Sequence, residues 1–525
     1  MSRLIRLLSS PLISSPPAKP LTHHSLTTMS ASRTYQDALD HLNTLIPNLK
    51  VHALFNAPKD KDASSSSSKP AGDPNALAIP EMRAWLLRAD LPPSTLSRLS
   101  YIHIAGTKGK GTVTTLTSSA LLSSSPPSTK IGTYTSPHLL HPRERISING
   151  LPVPQPLFAH HFFALWDTLS AAPADPSLDI DAGAKPFYFR YLTLLALRIF
   201  LAEGVSTAVV ECGIGGEYDA TNILPPEAVT ASVITQLGID HVAMLGSTAE
   251  QIAWQKAGIL KPGVATFTRA LDAQPGVMAV LRDRAASIGA TLIEVPDAEV
   301  SSWPGVPDAK IPGGEFQKRN QALAALAARH HLRVLESKNT AVAPDTSLAN
   351  LPEGIIAGLQ SATLRGRHEI IAKGRVSYHL DGAHNADSLA QVAAWIAPLI
   401  AAENTPFILV FNQQERDAAE LMLGLLAGMK ACGVDLEAKL THAIFTRNDK
   451  LRLEDADVGV QQKCAEALRA AYPNTKTTVC ADLGEMKAAV DEIASAHEGA
   501  TKVLVTGSMY LVGNLIGFLE PESQF

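Results

Sequence analysis

Apolar and polar positions along this chain recur in two periods, one near four residues and one of two, and the changes between them mark helices and strands. Ala38, Leu39, Leu42, Leu45 and Ile46 fall at helical spacing, so a helix packs from residue 35. Between 101 and 115 the string YIHIAGTKGKGTVTT joins a short apolar run, a glycine-rich turn holding two lysines, and a threonine-rich helix. Ile102 and Ile104 read as a buried strand. Further on, 187–202 reads as a buried amphipathic helix and 207–210 and 231–235 as strands. Ser-Thr-Ala-Glu at 247–250 predicts a capping box opening a helix. A helix from Gly314 puts Gln317 and Asn320 on one face. Around Pro137 and Pro142 the pattern lapses into a polar connection. After a linker-like stretch at 340–352, strands at 376–380, 407–411, 443–446, 477–480 and 503–506 alternate with helices such as 417–430 and 461–471. That is the pattern of a Rossmann-like open sheet.

The expected fold class is therefore α/β. An N-terminal P-loop-type ATPase domain with a parallel-rich sheet covers 35–365, and a smaller C-terminal Rossmann-like α/β domain covers 366–525. A chain of 525 residues exceeds one ordinary core, which agrees with two domains. The serine run 64–68 marks 57–76 as a disordered insertion. Residues 1–36 hold no Asp or Glu but include Arg3, Arg6, Lys19 and Arg33, which suits a mitochondrial transit peptide over 1–34. Pro11, Pro16, Pro17 and Pro20 keep an uninformative tail open as the other reading. Initiation at Met29 would give a shorter product, so mitochondrial and cytoplasmic forms are both expected.

A net charge of -5 argues against nucleic acid as an obligatory partner, and no apolar run is long enough to span a bilayer. The four cysteines lie far apart without a CxxC pair, which gives no sign of a zinc site or a disulfide framework. The turn at 106–112 carries the chemistry. Gly106, Gly109 and Gly111 let the backbone N–H groups face an anion, with Thr107 and Lys108 between them. Lys110 is placed to reach outer phosphates and the Thr112 hydroxyl to ligate magnesium, although G-T-K-G-K-G-T is not the common G-x-x-x-x-G-K-[ST]. Glu211 stands at the carboxyl end of a predicted buried strand, ahead of a second glycine-rich loop, and is a further magnesium ligand candidate. Asp381 and His384, at a strand end of the second domain, are candidates to reach back to the nucleotide.

HIAGTKGKGT, followed in order by VVECGIGGEYDATN, QLGIDH and WQKAG, resembles the Mur-ligase superfamily and, within it, the folylpolyglutamate synthases. The resemblance covers about 35–513. It implies two magnesium sites, with Thr112, Glu211, His241 and Lys256 as ligands and Lys256 carbamylated to become an anionic donor. It implies that Lys110, Glu211, His241 and Lys256 form the catalytic set. Asn320 would meet adenine, Arg367 rather than Arg365 would meet phosphates, and Ser136, Pro137, His138 and Arg143 would line the substrate cleft. A monovalent cation is a further implied cofactor. The implied reaction adds L-glutamate to the γ-carboxylate of folate polyglutamates with ATP, through an acyl phosphate, and a monomer is expected. Lys108 and Thr112 depart from the Asn and Ser of bacterial relatives, and LRGR lacks a preceding Trp. Dihydrofolate synthase and a nucleotide-binding NTPase without ligase activity stay open as alternatives.

Overall fold

The computed structural model describes residues 33–46, 75–311, 314–338, 342–401, 407–413, 417–451, 453, 457–496 and 499–521. The expected transit segment through residue 32, Met29 and the serine run fall outside them. Two sheets organise the chain. The first takes β1 Ser100–Ala105, β2 Ile131–Tyr134, β3 Ile146–Ile148, β4 Leu151–Pro152, β5 Thr207–Glu211, β6 Val229–Ile234, β7 Ala265–Arg269 and β8 Thr291–Val295 in the order β4-β3-β2-β5-β1-β6-β7-β8. From β2 to β8 every pairing is parallel, and the β2-β3-β4 edge is antiparallel. The second takes β9 Glu369–Lys373, β10 Val376–Leu380, β11 Phe407–Phe411, β12 Leu440–Thr446, β13 Lys476–Cys480 and β14 Thr501–Thr506 in the order β13-β12-β11-β14-β10-β9. Only the β9-β10 pairing there is antiparallel.

The central strands are buried along their whole length, as both faces of a parallel sheet are covered by helices. On one face of the first sheet the helix Lys110–Ser124 packs against Glu315–Ser337 and Glu353–Ser361. Gly358 permits that approach: a Cβ there would stand 2.4 Å from the Ser119 carbonyl oxygen. The other face is lined by Tyr191, Phe200, Phe158 and Phe162.

The α/β class, the parallel-rich first sheet and the Rossmann-like second sheet are as the pattern predicts. Three local expectations are corrected. Residues 131–134, read as part of a polar connection, form the buried strand β2, whose short alternation is too brief to register as a period. The capping box is one residue later: Thr248 accepts from the Gln251 N–H, and Gln251 Oε1 accepts from the Ser247 and Thr248 N–H groups. Gly246, with φ +101°, turns the chain just before it and shifts the helix start. Finally, β5 runs one residue further than expected and includes Glu211.

The domains meet through an apolar knuckle. Leu139, from the first domain, packs into the core of the second. A Cβ on Gly513 would lie 2.3 Å from the Leu139 carbonyl oxygen, so glycine is what admits the knuckle. Arg365 pairs with Glu369 at 2.5 Å and with Glu520 at 2.7 Å, tying the start of the second domain to the end of its last helix.

Candidate active site at the phosphate turn

Strands β5, β1 and β6 lie side by side, and their carboxyl ends carry the polar residues singled out in the sequence. β1 ends at Ala105 and the chain turns through Gly106 and Gly109, whose φ values of +151° and +82° suit glycine alone. A Cβ on Gly106 would fall 1.8 Å from Thr235 Oγ1, and one on Gly109 would fall 2.6 Å from Asn320 Oδ1. Gly109 is the N-cap of the helix beginning at Lys110, which has no side-chain cap, so its first N–H groups face the turn. Thr107 Oγ1 donates to the Gly238 carbonyl at 3.0 Å and accepts from the Gly238 N–H, stapling the turn to the loop after β6.

Lys110 and Lys256 both donate to the Gly106 carbonyl oxygen, at 3.1 and 2.8 Å. Lys256, at the end of the helix Ala249–Lys256, is buried, and desolvation followed by the charge of Lys110 lowers its pKa to about 7. Glu211 is 3% exposed and accepts the Ser136 N–H at 3.1 Å. Burial pushes its carboxyl up to about 7 against the opposing pull of Lys110, Ser136, Arg367 and Arg145. Its Oε2 stands 3.6 Å from the position of a Cβ on Gly111. Thr112 is buried in the first turn of the same helix.

Magnesium fits these donors. Among the described residues Glu211 accepts only the Ser136 N–H, so its carboxylate keeps lone pairs for a hard cation, and Thr112 adds a hydroxyl. No group of three His, Cys, Asp or Glu side chains suited to a metal occurs among the described residues. The remaining positions would fall to nucleotide oxygens and water, the usual company of magnesium with ATP. His241 adopts a left-handed backbone with φ +49° at the start of a short helix, with a half-exposed ring 3.9 Å from Asp240 Oδ2. Asp240 is the residue of that loop whose charge acts on Lys256.

Other predicted residues take positions that the sequence did not foretell. Arg143 is buried and donates to the Val153 carbonyl oxygen at 3.3 Å. Of the two arginines of RERI, Arg145 is the one whose charge acts on Glu211, after that of Arg367. It donates through Nε to His138 Nδ1 at 2.9 Å and lies over the ring of Tyr188. Burial and then Arg145 lower the His138 pKa to about 3, so the ring is a neutral acceptor that aims the guanidinium. Pro137 follows Ser136 in the same segment through a cis peptide. Asn320 is buried beneath Gly109 and donates through Nδ2 to Gln317 Oε1 at 2.9 Å.

From the second domain, Arg367 acts electrostatically on Glu211, while Arg365 is held by its two glutamates. Asp381 does not extend toward the turn. Its oxygens accept the N–H groups of His368 and Ala383, each at 2.9 Å, which folds its own strand-end loop. His384 Nδ1 bonds the Gly382 carbonyl at 3.0 Å. The side chain that crosses to the turn is Asp387, in the first turn of the helix that follows that loop, 2.8 Å from Lys108 Nζ. The sequence could have flagged Arg145 by its place in RERI; nothing in the pattern singles out Asp387. Cavities of about 620 and 440 Å³ are lined by residues such as Tyr35 and Asp167, or Glu217 and Lys261, and include none of Lys110, Glu211 or Lys256.

No protein-family model matches the chain. A curated folylpolyglutamate synthase from Neurospora crassa is 35% identical over 530 residues, covering 95% of each chain. One from Saccharomyces cerevisiae is 35% identical over 510 residues, covering 92% of this chain and 86% of its own. Among solved structures, a Mycobacterium tuberculosis folylpolyglutamate synthase complexed with ADP and AMPPCP superposes with a TM-score of 0.62 at 23% identity, over 84% of this chain and 95% of that one. A likeness that runs through both domains and keeps one third of all positions places this chain in the folylpolyglutamate synthase family.

Proposed function

We propose that this chain is an ATP-dependent ligase that joins the amine of L-glutamate to the γ-carboxylate of folate and its polyglutamates. Family membership supports the reaction class. The observation that carries the reading is the convergence of Lys110 and Lys256 on one carbonyl of a glycine turn that has Glu211 beside it. In this reading the turn's N–H groups and Lys110 hold the β- and γ-phosphates, with Asn320 beneath the turn serving the adenine side. A γ-carboxylate oxygen of folate attacks the γ-phosphorus and ADP leaves, giving an acyl phosphate. The glutamate nitrogen attacks the acyl carbon, loses a proton, and phosphate departs as the amide forms. Arg145 and Arg367 offset the negative charge that gathers between carboxylate and phosphate. Glu211 and Thr112 would hold magnesium, which would supply charge neutralisation at the transferring phosphoryl group.

His241 and a carbamylated Lys256 would hold the second magnesium, and a monovalent cation would be a further cofactor. A lysine with its pKa lowered to about 7 offers the free amine that carbon dioxide requires. The acid-free leader sends a long product to mitochondria, while initiation at Met29 yields a cytosolic one, and the enzyme works as a monomer. Immunoblots of separated organelles that show a single species would overturn the dual location. The reaction itself is tested by incorporation of labelled glutamate with ATP and either tetrahydrofolate or dihydropteroate. Label in tetrahydrofolate products is the expected result. Label with dihydropteroate alone would make the chain a dihydrofolate synthase, and label with neither would remove the ligase reading.

A further inference from the structure

Three lysine ammoniums crowd the phosphate turn, and they are held differently. Lys110 and Lys256 bond back onto Gly106. Lys108 leaves the turn: its backbone is pinned, donating to the Gln236 carbonyl at 3.1 Å and accepting Thr235 Oγ1 at 2.7 Å, while Nζ crosses to Asp387 Oδ2 at 2.8 Å. Asp387 lies in the first turn of the helix Ala386–Ala401, directly after the strand-end loop of the second domain. The two partners are unequal, since the lysine side chain is 22% exposed and the aspartate 72%. The ammonium is the more buried end of the bridge and belongs to a residue whose backbone is part of the turn, while the acid is its exposed end. A polyphosphate on the turn would bring a second set of anionic oxygens to the same ammonium, with no movement of the fixed backbone needed to meet them.

We infer that Asp387 competes with nucleotide phosphate for Lys108, so that the empty enzyme is latched across its cleft and the nucleotide releases the latch. Asp387 is thus a positioning residue acting through Lys108. The inference rests on the reading of the turn as the ATP site.

The test measures ADP, AMPPCP and adenosine binding by titration calorimetry for the parent chain, Asp387→Asn, Lys108→Met and the double variant. Asp387 is exposed, so its replacement leaves folding intact. Removing the competitor is expected to tighten ADP and AMPPCP by up to about fivefold, the upper end for an exposed ion pair, and to leave adenosine unchanged. The gain shrinks as salt rises, because the pair is open to solvent. On the Lys108→Met background Asp387→Asn does nothing further. Unchanged ADP affinity in Asp387→Asn, equal tightening of adenosine, or full additivity in the double variant would each overturn the competition alone. Failure of the parent chain to bind ADP would overturn the ATP-site reading and the competition with it.

Discussion

Glu211 and Lys256 would carry opposite charges in water, yet both titrate near 7 beside the same turn. The carboxyl is raised from 4.5, so its contribution to stability is present below that value and is lost as pH rises toward 7. The ammonium is lowered from 10.5, so its contribution is present above that value and is lost as pH falls toward 7. At neutral pH the unliganded site therefore holds both penalties. Lys256→Met should stabilise the free protein at pH 7 by on the order of 2 kcal/mol in urea unfolding while abolishing ligation. Equal or lower stability would show that burial of the ammonium carries no penalty. In the proposed function both groups favour higher pH, since a cation there would need the Glu211 carboxylate and carbamylation would need the neutral Lys256 amine. Turnover at saturating ATP should climb through about pH 7, and a flat profile between 6 and 8 would remove these groups from control. Lys110 sits over the turn with one bond to Gly106, so Lys110→Ala should lower turnover by about 10²- to 10³-fold with an unchanged melting temperature.

The turn between β1 and its helix is the element on which the site depends. Gly106→Ala would drive a methyl into Thr235, and its expected outcome is loss of ADP binding together with a lower melting point. A variant with parental ADP affinity would show that the turn can relax. The helix that delivers Lys256 begins at Thr248, so Thr248→Ala should cost about 1 kcal/mol of stability, read from chemical denaturation. How far these elements can be read from sequence follows from the range of their signals. The phosphate turn is legible because its glycines, lysines and threonine are consecutive, and Glu211 because glycines follow an apolar run. The period also separates helices from strands in the second domain. What escapes it is decided at a distance. Arg143 and Arg145 are two residues apart in one motif, but burial against Val153 takes the first and the His138 ring aims the second. Asp381 looks like a ligand at a strand end until the His368 and Ala383 N–H groups claim it. Strand β2 is too short to show a period and is fixed by its neighbours β3 and β5.

At the scale of the molecule, the nucleotide turn belongs wholly to the first domain, while Arg367 and Asp387 come from the second. Nucleotide affinity and turnover are therefore separable. Gly513→Val would wedge the second domain off Leu139, and it should lower kcat at least tenfold while ADP affinity falls by no more than about threefold. A matched fall in both would mean that the turn itself depends on the knuckle. Arg365 holds the way into the second domain against the end of its last helix. A body whose entrance and exit share one guanidinium is a closed parcel on a single thread. Joining Glu520 back to the region of Glu369 with a short splice would circularise it with little rearrangement, and a gene segment encoding 365–521 could be lifted out, permuted or grafted into a host loop as one piece. Exchange of this C-terminal part among ligases would then leave the first sheet, which carries the glycine turn, without redesign.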